Sequence, residues 1–197
     1  KHRIVAGTPT WDGQDLATCE YQINRWSLRA FLAEAQHERI RPGDAAFPEW
    51  DASVHVVEPF PIPAAWPKWR AIDYGYAVPY CCLWFARGPD GRICIYRETY
   101  GAGKTASTQA YEVRVLSSGE RYFISVGDPA MWADEREGKE YQSNVSQYAE
   151  FGIELQRASN NRIAGWNRLH EVLAYAPGIA PILRVFKTCH NFIRTFP

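Results

Sequence analysis

RAIDYGYAVPYCCLWFARGPDGRICIYRET, residues 70 to 99, is the stretch whose reading decides the fold. Arg70 to Gly75 reads as a strand, Tyr80 to Ala86 as a second and Ile93 to Thr99 as a third. Gly88-Pro89-Asp90-Gly91 supplies the turn between the last two. Three strands joined by short connections begin an antiparallel sheet. Downstream the period changes: Ser107 to Leu116 reads as a helix and Tyr122 to Gly127 as a buried strand ending at Asp128. A helix over Val145 to Phe151, a short strand over Ile153 to Gln156, a helix over Ile163 to Tyr175, a strand over Ile182 to Phe186 and a helical turn over Cys189 to Phe196 follow. This order predicts an α/β fold, a mixed β-sheet flanked by helices.

Upstream, apolar positions at Leu16, Cys19, Ile23, Trp26, Leu28, Leu32 and Ala35 approximate the helical period over residues 11 to 37. Turn formers and the prolines from Pro59 to Pro67 then interrupt any regular element, which reads as an extended linker. The expected division is residues 1–65, helical and then extended, and residues 66–197, the sheet domain.

Composition excludes more than it selects. Hydrophobic residues at 46% and charged residues at 22% of 197 suit a folded domain with a real core, not a disordered chain. Lys plus Arg equals Asp plus Glu at 22 each, so a nucleic-acid contact has to be local. The five cysteines are odd in number and lack C-x-x-C spacing, which argues against a disulfide framework or zinc site and for reduced thiols in the cytoplasm. No apolar run approaches the ~20 residues of a membrane span. The five histidines lack ligand spacing. Gly101-Ala102-Gly103-Lys104-Thr105 imitates the end of a Walker A loop, but Glu98 stands where that motif needs its first glycine. The segment reads instead as a loop with Thr105 or Ser107 capping the next helix, and phosphotransfer is the weakest functional reading.

The chemistry lies in two carboxylates. Asp73 closes one apolar strand and Asp128 another, where an unpaired charge is costly. Carboxylates on neighbouring strands are what a pair of magnesium ions needs, since two hard cations about 4 Å apart must both be held by oxygen. Either aspartate alone also reads as a turn former before Gly or Pro.

Four ordered segments carry a resemblance. Ala71-Ile72-Asp73-Tyr74-Gly75, Gly127-Asp128-Pro129-Ala130-Met131-Trp132, Arg157 to Trp166, and Cys189 to Pro197 together resemble the nuclease domain of the large terminase subunit of tailed bacteriophages. Phe47-Pro48-Glu49-Trp50-Asp51 and Trp69-Arg70 resemble that family's interdomain segment. The resemblance implies a ribonuclease H-like fold, with Asp73 and Asp128 as catalytic metal ligands for Mg2+ or Mn2+. It implies a two-metal endonuclease that cuts concatemeric double-stranded DNA during packaging in the host cytoplasm. Portal protein and small terminase subunit are the implied partners, with no membrane association. Residues 1–65 would then be the linker and the remnant of an upstream ATPase domain. Lys139, Arg157 and Arg162 are the candidate DNA contacts. The family's third acidic ligand follows the Ile-Arg-x-x-Pro segment, so the domain is expected to be C-terminally truncated. Glu98, Glu112 and Glu171 are possible substitutes, each also readable as a surface charge. The alternative function is a non-catalytic packaging-motor module that docks to portal or small terminase.

Overall fold

The computed structural model describes residues 15–26, 46–132, 143–176 and 179–196. It divides into two compact units, residues 1–48 and 49–197. In the first, α1 (Leu16–Trp26) begins behind Asp15, whose Oδ1 accepts from the Thr18 amide at 2.7 Å. This is a short-range N-terminal cap. The rest of the helical pattern expected over residues 11 to 37 lies outside the described residues.

The second unit is a seven-stranded mixed sheet. Its elements in chain order are α2 (Ala52–His55), β1 (Val56–Val57), β2 (Lys68–Asp73), β3 (Tyr80–Arg87), β4 (Ile93–Gly101), α3 (Ala106–Leu116), β5 (Ile124–Gly127), a 3-10 turn (Pro129–Trp132), α4 (Asn144–Glu150), β6 (Gln156–Arg157), α5 (Arg162–Leu173), β7 (Leu183–Phe186) and α6 (His190–Thr195). The strand order across the sheet is β1-β7-β4-β3-β2-β5-β6. β2, β3 and β4 form the antiparallel meander expected from their short connections, while β5 joins β2 in parallel after the α3 crossover. Gly91, at φ +82°, completes the β3–β4 turn in a conformation that favours glycine.

Two features differ from the sequence reading. The compact unit begins at Glu49, well before the expected boundary at 66, because Val56 and Val57 add an edge strand beside Val185 and Phe186. A two-residue strand before a proline-rich stretch has no readable period. β2 also starts two residues earlier than expected, at Lys68.

Alternation along β2 separates the sheet faces. Lys68, Arg70 and Ile72 are buried, whereas Trp69 and Ala71 are half-buried and Asp73 is exposed. The buried face lies under α3 and α4. There Arg70 donates to Ser125 Oγ through Nε at 3.0 Å and Nη2 at 2.8 Å, and to Ser117 Oγ at 2.8 Å, with its guanidinium 4.1 Å from the Tyr122 ring centroid. This binds β2 to β5 and to the end of α3. Trp84, fully buried, donates to the same Ser117 hydroxyl at 3.0 Å. The opposite face carries α6, whose neighbouring Cys189 thiol donates to Ile95 O at 3.7 Å. All five cysteines are unpaired. Among the described residues no helix is long and apolar enough to cross a membrane.

Candidate active site

Ile72 pairs with Gly127 in the parallel β2–β5 ladder, and the Asp128 amide donates to Ile72 O at 3.1 Å. The next positions along the two strands are Asp73 and Asp128. Parallel strands lie ~4.8 Å apart and keep paired residues on one face. The two carboxylates, 55 positions apart in sequence, are therefore neighbours at the carboxyl ends of adjacent strands. In open α/β sheets this is where ligands gather.

Local chemistry fixes each side chain differently. Asp128 does form a turn: its Oδ1 accepts from the Ala130 amide at 2.7 Å and its carbonyl from the Met131 amide at 3.0 Å, which starts the 3-10 turn. That uses one carboxylate oxygen and leaves the second outside the bond. Gly127 gives this turn its room, because a Cβ there would stand 2.9 Å from Met131 Sδ and 3.3 Å from Leu155 Cδ1. Asp73 receives no protein hydrogen bond among the described residues. Desolvation, followed by the Asp128 charge, raises its pKa above the ordinary aspartate value. Two unit charges about 5 Å apart repel by about 3 kcal/mol at an effective dielectric of 20, so such a pair favours a cation.

The backbone after Asp73 is held by a residue the sequence reading overlooked. Gln109, fully buried on α3, donates through Nε2 to Gly75 O and Lys104 O at 2.7 Å each, and its Oε1 accepts from Tyr148 at 3.2 Å. An amide among Ala106, Ala110 and Val113 on the apolar side of a helix was the available signal. Gly75 fits because a Cβ would overlap Val78 O and stand 2.7 Å from Pro79 O.

The remaining candidates separate. Arg157 lies on β6 beside Gly127, so it emerges on the face of Ile72, opposite to the carboxylates, with its guanidinium 5.2 Å from the Trp132 ring centroid. Arg162 is exposed at the start of α5, which Asn161 caps by accepting from the Ala164 amide at 3.0 Å. Lys139 lies outside the described residues. The substitutes for a third acidic ligand are engaged elsewhere. Glu112 pairs with Lys104 at 2.6 Å and accepts from Thr99 and Tyr80; Glu171 pairs with Arg168 at 2.8 Å; Glu98 accepts from α6. No group of three or more His, Cys, Asp or Glu that could hold a metal occurs among the described residues. Lys104, held by Glu112 in a loop whose Thr105 caps α3, forms no phosphate cradle.

No protein-family model and no curated protein matches the chain. Solved structures do match. The P22 large terminase nuclease domain superimposes with a TM-score of 0.60 at 20% identity over 77% of each chain. The complete large terminase of a thermophilic bacteriophage superimposes with a TM-score of 0.63 at 16% identity. The fold is that of large terminase nuclease domains. The second match covers 77% of this chain and 36% of that one, so this chain spans about a third of that terminase's length. The nuclease of the large terminase from another thermophilic phage, G20c, with bound magnesium, matches at 11% identity and a TM-score of 0.51, over 76% of this chain and 77% of that one. These terminase domains share the mixed sheet, and the ribonuclease H-like expectation holds.

Proposed function

We propose that the chain is the nuclease of a phage large terminase, a metal-dependent endonuclease that cuts concatemeric double-stranded DNA during genome packaging in the host cytoplasm. The observation that carries this reading is the pair Asp73 and Asp128 on adjacent parallel strands, with Asp73 raised in pKa by desolvation and by its neighbour's charge. The donor chemistry fits a hard divalent cation: one carboxylate has no protein hydrogen bond among the described residues and the other keeps an oxygen outside its turn. The likenesses to the P22 domain and to the longer thermophilic-phage terminase support the reading through fold, and the G20c nuclease has been seen with magnesium.

Asp73 and Asp128 would hold Mg2+ or Mn2+, in a two-ion arrangement completed by at least one further ligand. Bound there, the cations would supply charge neutralisation at the phosphate and activation of water. The protein's own part is to fix the two carboxylates: Arg70 locks β2 to β5, the 3-10 turn orients Asp128, and Gln109 holds the loop that follows Asp73. Arg157, Arg162 and Lys139 would contact the backbone outside the carboxylate face. Residues 1–65 would include the linker and remnant of an upstream ATPase domain.

Asp73→Asn should reduce Mn2+-stimulated nicking of supercoiled plasmid by at least 100-fold, since it removes one ligand of the pair. Nicking at the wild-type rate would overturn the assignment. A second reading, a non-catalytic module that docks to portal or small terminase, draws on the lack of a three-ligand group among the described residues. It predicts no nicking by the wild-type chain and no Asp73-dependent Mn2+ binding in calorimetry.

A further inference from the structure

We infer that Arg194 is a phosphate-positioning residue of the carboxylate site, gripping the DNA strand a short way from the point of cleavage; this rests on the nuclease reading. The register of the sheet leads to it. Asp73 pairs with Cys81, and Cys81 with Tyr100. Directly opposed residues of antiparallel strands share a face, so Asp128, Asp73, Cys81 and Tyr100 form one row across β5, β2, β3 and β4 on the side away from α3. The Arg194 guanidinium stands 5.9 Å from the Tyr100 ring centroid. It therefore occupies the carboxylates' own face, unlike Arg157.

The cation is held in place by a relay that starts in the sheet. Glu98, on the same face of β4, accepts from the Asn191 amide at 2.7 Å, from Asn191 Nδ2 at 3.1 Å and from the Phe192 amide at 2.8 Å. Asn191 Oδ1 in turn accepts from Arg194 Nη2 at 3.4 Å. The Glu98 charge is thus spent on the first turn of α6, and among the described residues Arg194 has no carboxylate partner. An exposed guanidinium oriented by an amide and an aromatic ring keeps most of its five donors for an anion. Tyr100 lies two strand spacings from Asp73, about 10 Å. A duplex strand presents a phosphate every ~3.4 Å of axial rise, so Arg194 reaches a phosphate beside the scissile one and not the scissile one itself.

The test uses the full chain and an arbitrary fluorescein-labelled duplex of about 20 base pairs. Anisotropy titrations in EDTA between about 50 and 200 mM salt measure binding, and plasmid nicking in Mn2+ measures cleavage. Arg194→Gln should lower the slope of log K against log salt by about one, because one phosphate contact is lost. It should also raise KM several-fold with kcat within about twofold of wild type. Arg194→Lys should recover the salt slope while keeping a raised KM, since it restores charge but not the oriented fork. An unchanged slope and KM in Arg194→Gln, with its melting temperature unchanged, would overturn the inference. Asp73→Asn separates the two claims: loss of its nicking with an unaltered salt slope sustains the nuclease reading whatever Arg194 does. Nicking by Asp73→Asn at the wild-type rate removes that reading, while the salt slope still reports on Arg194.

Discussion

At Asp73 function and stability pull in opposite directions. Its raised pKa means that the fold disfavours the ionised carboxylate, so this group's contribution to stability is present at low pH and is lost as pH rises through the folded-state value. Asp73→Asn should therefore melt about 1–3 °C above wild type at neutral pH in EDTA. The gain is kept small by the solvent contact of the carboxyl. The difference should close as pH falls below the ordinary aspartate range. Saturating Mn2+ should reverse the order, because binding stabilises only the chain that retains the site. Differential scanning fluorimetry across pH, with and without Mn2+, checks both halves. The aspartates themselves were legible, as charges in apolar strands. Their partners were not, because Gln109 and Arg194 acquire meaning only through contacts with residues 34 and 94 positions away.

Among the elements, the approach to β5 is organised by Glu120. Its carboxylate pairs with Arg97 Nη2 at 3.0 Å, accepts from Tyr96 at 2.8 Å, and accepts from Tyr122. Burial pushes its pKa up, but hydrogen bonds from Tyr122, Arg97 and Tyr96 outweigh burial and hold it below the ordinary glutamate value. With a lowered folded-state pKa, this stabilisation is present above the ordinary glutamate range and is lost as pH falls through the folded value. Glu120→Gln should cost on the order of 1–2 kcal/mol at neutral pH and flatten the acid limb of the stability curve, measured by urea unfolding at several pH values. Arg70→Ala, which strands Ser117 and Ser125, should cost on the order of 3 kcal/mol in the same assay. Most strands and helices were readable from their periods, with ends within about two residues of those observed. The face on which Arg157 emerges was not, because a one-residue change of register reverses it and register is set by the partner strand.

Across the whole second unit, the segment leading into the sheet meets the last helix. Trp50 stacks on His55 with centroids 5.0 Å apart and meets Phe192 and Phe196 edge-on at 6.0 and 5.2 Å. His55, fully buried, has Nε2 2.9 Å from Leu173 O at the end of α5. Trp50→Ala should cost about 3 kcal/mol and loosen α6, and hence Arg194, so its salt slope for DNA should fall together with its melting temperature. The parallel pairing of β2 with β5 has a consequence for the order of events during folding. The β2–β3–β4 meander closes through nearby contacts but contains only Asp73; Asp128 arrives when α3 has crossed over and β5 docks from far along the chain. A half-folded chain can therefore have the meander without the cation trap, and Mn2+ affinity acquired during refolding would time the moment at which the sheet is completed.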